Sequence, residues 1–75
     1  MYILASMPFE GYFSGKTYKD AHSNELYAVA TNKVSEAEKY THRESAIFAC
    51  NTLNKNIQNY VFTVIDDSIK DFIEN

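Results

Sequence analysis

Any reactive centre in this chain would have to be assembled from one cysteine, two histidines and a small set of carboxylates. Cys50 stands between Ala46 and Leu53 at helical spacing, on a face shared with Ala49 and Ile57. A thiol in that setting packs as a small hydrophobe and does not act as a thiolate nucleophile. His22 follows Asp20 in a polar run, and His42 falls in the first turn of the same helix, where the dipole opposes an imidazolium. A metal centre needs three or four convergent ligands, and these residues lack the usual spacing, so both histidines read as surface residues. Asp66-Asp67 is the only adjacent carboxylate pair, and its place before Ser68-Ile69 suits the start of a helix better than acid–base work. The two glycines, Gly11 and Gly15, precede no helix, so there is no phosphate cradle. The expectation is a non-enzymatic protein without catalytic residue, metal or cofactor.

Adhesion is the chemistry that remains. Six Tyr and five Phe are a large share for a chain of 75 residues. Strand alternation can turn only part of the group Phe9, Tyr12, Phe13 and Tyr18 inward, so Tyr12 and Tyr18 are candidate contact residues. Phe48 lies on the opposite side of its helix from the apolar stripe, among Glu44, Asn51, Thr52 and Lys55. It is either covered by the C-terminal segment, through Phe72 or Ile69, or left as an aromatic anchor for another molecule. Net charge is −3, and the whole excess sits in Asp66, Asp67, Asp71 and Glu74 against Lys70. These four carboxylates are candidate partner-binding residues for a basic groove. Clustered Lys or Arg is missing, which disfavours direct nucleic-acid binding.

The elements that must position these side chains centre on residues 41–65. Thr41 with Glu44 has capping-box spacing, and the stripe of Ala46, Ala49, Cys50, Leu53 and Ile57 follows. Residues 60–65 then change period to a β-branched and aromatic strand. Before the helix, residues 2–7 form a strand apolar on both alternations apart from Ser6, and residues 8–11 carry turn chemistry. Residues 12–18 form one irregular strand with a bulge or tight turn at Ser14-Gly15, and residues 26–31 form a third strand. Ser35 with Glu38 suggests a second capping box and a single helical turn. Ile69, Phe72 and Ile73 share one face of a short C-terminal helix that docks or frays. The result is one small α+β domain over residues 1–75, ordered β-β-β-α-β, with an antiparallel sheet of three to four strands packed on one main helix. The last strand is expected beside the first, the other double-sided apolar strand.

Size leaves a thin core, with little room for a deep cleft. No apolar run is long enough to span a membrane, and the N-terminus lacks the pattern of a signal peptide. With one cysteine the simplest expectation is a cytoplasmic protein.

The run Ser35-Glu36-Ala37-Glu38-Lys39-Tyr40, the helix carrying Ala46, Cys50 and Leu53, and the closing Tyr60-Val61-Phe62-Thr63-Val64 together resemble small accessory proteins of bacteriophages and mobile elements. Some of that group are anti-CRISPR or other inhibitors of bacterial defence that act by occluding a surface. The resemblance implies a small phage or mobile-element protein in the host cytoplasm. It would bind and inhibit a larger host protein, possibly a nucleic-acid enzyme such as a CRISPR or other defence nuclease. The alternative is a self-assembling structural or regulatory module, a homodimer, because a thin core gains most from a second copy.

Overall fold

The computed structural model describes residues 1–69. Four strands, β1 (Tyr2–Ser6), β2 (Tyr12–Lys19), β3 (Leu26–Thr31) and β4 (Phe62–Asp66), and one helix, α1 (Arg43–Asn56), form an α+β domain. The sheet is antiparallel in the order β3-β2-β1-β4, so the last strand does lie beside the first. Of the C-terminal helix, only a 3-10 turn at Asp67–Ile69 falls within the described residues. Its proposed face through Phe72 and Ile73, together with Asp71 and Glu74, lies outside them.

Alternation along β1 explains its central place. Leu4 points to one face, where it joins Phe13, Ala28 and Phe62 beneath Ala46, Cys50 and Ile57. Ile3 and Ala5 point to the other face and pack with Tyr12 and Ala37, flanked by Val34 and Ile65. A strand apolar on both alternations is thus covered on both sides. Ser6 is its one buried polar residue, and its hydroxyl accepts the N–H groups of Glu10 and Gly11 at 2.6 and 3.2 Å. The exception in the apolar pattern fastens the turn that follows.

β2 is one continuous strand whose register against β3 shifts between Phe13 and Thr17. Gly15 sits in this bulge at φ +90°, and a Cβ there would run into the Glu38 carboxylate. The approach arises because β1 and β2 diverge and residues 38–40 enter between them. Glu38 donates its N–H to Phe13 C=O at 2.9 Å, while Tyr40 and Tyr2 exchange both backbone bonds at 2.8 Å.

That wedge overturns both expected capping boxes. Tyr40 is drawn into a bridge with Tyr2, the chain bends at Thr41 and His42, and His42, itself in an extended conformation, is the N-cap in place of Thr41. Its side chain makes no capping bond. The turn before it is a 3-10 turn, Val34–Glu36, with Lys33 at its N-cap and no side-chain cap, so Ser35 does not cap it. Glu38 cannot reach back because its backbone is committed to β2, and Glu36 instead accepts the Thr31 hydroxyl at 2.8 Å. Among the described residues, no helix is long and apolar enough to cross a membrane.

Candidate binding surface

A groove of about 320 Å³ opens at one end of the sheet, between the turn after β1 and the connection from α1 to β4. Met7, Pro8, Ile57, Tyr60 and Val61 form its apolar lining, and Glu10, Asn54, Gln58 and Asn59 its polar lining. Met7 donates its N–H to Val61 C=O at 2.8 Å, one step beyond the β1–β4 ladder. That bond brings together two large apolar side chains that are 61% and 59% exposed. An apolar pair beside a polar-lined concavity has the make-up of a small protein-contact site.

Two asparagines in this lining have a structural duty. Asn54, near the end of α1, accepts the Phe62 N–H at 2.8 Å and donates to the Phe62 C=O at 2.9 Å. Asn59 accepts the Ala28 N–H at 3.1 Å and donates to the Ala28 C=O at 2.9 Å. Phe62 is on β4 and Ala28 on β3, the two outer strands. Gln58 adds an N–H to Leu26 C=O at 3.0 Å. Each amide replaces one missing strand partner, which blunts the edges against pairing with another chain.

The residues singled out from the sequence do not converge on one patch. Phe48 is 74% exposed on α1, and the cover expected from Phe72 lies outside the described residues. Tyr18 is 55% exposed and stacks on Tyr27 across the β2–β3 pair, ring centroids 5.4 Å apart and planes 21° apart. The pair alternates with Ala28, which faces α1, so it lies on the opposite face of the sheet from the helix. Phe48 and Tyr18 therefore cannot touch one flat partner together. Tyr12 is withdrawn from the contact set: it is 1% exposed, with Ile3, Ala5 and Ala37 around it and the Phe9 ring edge-on at 5.1 Å. The β1–β2 turn folds that position inward.

Asp66 and Asp67 stand where β4 ends. Asp66 accepts the Ser68 N–H at 3.0 Å, which holds its carboxyl below the usual range. Asp67 lies 3.3 Å from the Met1 amine and donates its own N–H to Met1 C=O at 2.9 Å. Both carboxylates therefore serve local chain geometry as well as the surface charge.

Cys50 is buried as its spacing implies. Its thiol lies 3.1 Å from Phe62 C=O, and burial pushes its pKa up, offset in part by a hydrogen bond from Asn54. His22 and His42 are exposed. Among the described residues, no three His, Cys, Asp or Glu side chains gather as a metal site.

Sequence reading missed Met7 and Val61, because both sit in runs that alternate as strand residues. Asn54 carried a usable signal: a polar side chain one helical turn after Cys50, on the edge of the apolar stripe. Set against models of known families, curated proteins and solved structures, the chain matches none.

Proposed function

We propose that this is a non-enzymatic binding protein that inhibits a larger protein by occluding part of its surface. The observation that carries this reading is the exposed Met7–Val61 pair on the rim of the end groove. The Met7–Val61 backbone bond fixes the place from which both apolar side chains project, so the backbone needs no ordering for them to meet a partner. The target class follows from the resemblance of residues 35–40, the helix and the closing strand to small phage and mobile-element accessory proteins. It is a bacterial defence protein, with a CRISPR or other nuclease first among them, met in the host cytoplasm.

Immobilised protein exposed to host lysate tests the proposal. The wild-type chain retains a defence protein and lowers its activity, and the double variant Met7→Asp, Val61→Asp retains none while keeping its fold. No retained protein, or equal retention by the double variant, overturns it.

Homodimerisation is the second reading, favoured by Phe48 standing out from α1. The amide clamps on both outer strands weigh against a dimer built through the sheet edges, so the helix face would be its contact. Solution mass across a concentration series separates the two, since only self-assembly makes it rise.

A further inference from the structure

We propose that the Tyr18–Tyr27 stack with Glu25 is a recognition site for an arginine side chain of the protein partner, an inference that rests on the binding-protein reading above. Tyr18 and Tyr27 are a cross-strand pair with rings 5.4 Å apart and nearly parallel, and Tyr18 is the more exposed of the two. Stacking covers one face of each ring and leaves the other face of Tyr18, the more exposed ring, as the aromatic platform on the sheet side away from α1. Tyr27 donates its hydroxyl to the Glu25 carboxylate at 2.9 Å, which fixes that anion at the rim of the platform. Among the described residues, Glu25 forms no ion pair, and it is exposed.

Local charge decides what fits. Asp20, held by Ser23 and His22 in the adjoining loop, is a second anion near the ring, and it joins Glu25 in raising the Tyr27 pKa. Two lysines stand on the same strand: Lys19 alternates to the face that α1 covers, and Lys16, two residues before Tyr18 on its own face, lines a hollow that also holds Glu36. A π-face bordered by carboxylates attracts a planar cation. The guanidinium of arginine can stack on Tyr18 while donating to Glu25, whereas an ammonium offers no plane to stack. A nucleobase would also stack, but its phosphates would meet Asp20 and Glu25.

Titration with the capped tripeptides Gly-Arg-Gly and Gly-Lys-Gly tests the site without any host target. The tyrosine ring NMR signals are followed in the wild type, Tyr18→Leu and Glu25→Gln. The arginine peptide moves the Tyr18 and Tyr27 signals, and the lysine peptide binds about two- to fivefold more weakly. Glu25→Gln weakens arginine binding by about the same factor, because it keeps an acceptor for Tyr27 and removes the charge. No movement at tens of millimolar peptide (order of magnitude) overturns the proposal. So does equal affinity in Glu25→Gln, or a single-stranded oligonucleotide that moves the same signals more strongly. Because peptide binding needs no defence protein, failure of the site is read apart from failure of the target class.

Discussion

Asn54 and Phe62 are joined like paired strand residues: one side-chain amide accepts the Phe62 N–H at 2.8 Å and donates to its C=O at 2.9 Å. The helix thereby supplies, through a single side chain, the neighbour that β4 lacks on its outer side. Phe62 is itself core, tilted against Phe13 and Tyr60 at centroid distances of 5.7 and 5.5 Å. The clamp thus ties the packing of α1 to the register of β4.

Asn54→Ala removes both hydrogen bonds to Phe62, along with the longer one to the Cys50 thiol, and frees a strand edge. It is expected to cost about 1–3 kcal/mol, at ~0.5–1.5 per bond, read by urea unfolding. Concentration-dependent association should appear in the same variant as the Phe62 backbone becomes available for pairing. An unchanged midpoint would show that water replaces the amide without loss.

Asn59→Ala acts at the other outer strand and should cost a similar amount. β3 and β4 are separated by two strands, about 14 Å by the usual strand spacing. The double variant should therefore lose the sum of the single losses to within ~0.5 kcal/mol. A larger departure from additivity would mean that the connection carrying Asn59 and the end of α1 move as one unit.

Gly15→Ala meets two costs, the left-handed φ of +90° and the Glu38 carboxylate. We expect a destabilisation of about 1–3 kcal/mol. Adding Glu38→Ala should recover the steric part and leave the conformational part. If the second substitution recovers nothing, the whole cost lies in the backbone.

Cys50 gives a pH signature. Burial raises its folded pKa above the ordinary thiol value of 9.0, so the thiol ionises first in the unfolded chain. The unfolded state then binds fewer protons, and stability is full below about that pH and declines above it. Cys50→Ala should flatten this part of the alkaline slope. Tyr40, raised mainly by burial with Glu38 adding to it, titrates in the same direction, and Tyr40→Phe separates its share. A thiol reagent should label the native protein slowly and the urea-unfolded protein fast. Fast labelling of the native state would contradict the burial.

Phe48→Ala should leave the unfolding midpoint within ~0.5 kcal/mol of wild type, since its ring is mostly in water. A larger loss would mean that the ring is covered in solution.

Element types, their order and the covered side of each could be read from the chain, because they depend on local periodicity. The step from the stripe of Ala46, Cys50 and Ile57 to the strand at Phe62 is a change of repeat, and repeats are written in sequence. Burial of Leu4 on one face of β1 and Ile3 on the other follows from a strand apolar on both alternations. Ser14-Gly15 marked the bulge for the same local reason. Capping was different. Thr41 and Ser35 had suitable neighbours three residues on, yet a bridge between Tyr2 and Tyr40, 38 positions apart, set the start of α1 after His42, and the Glu38 bond to Phe13 kept that residue from reaching back to Ser35. Tyr12 and Tyr18 are alike in type and both lie on β2, but one is sealed by Ala37 and Phe9 while the other lies open beside Tyr27. Exposure is set by what a distant segment lays over a position. The sequence by itself therefore determined the elements and their apolar faces, and only the tertiary structure decided which aromatic rings remain available for a partner.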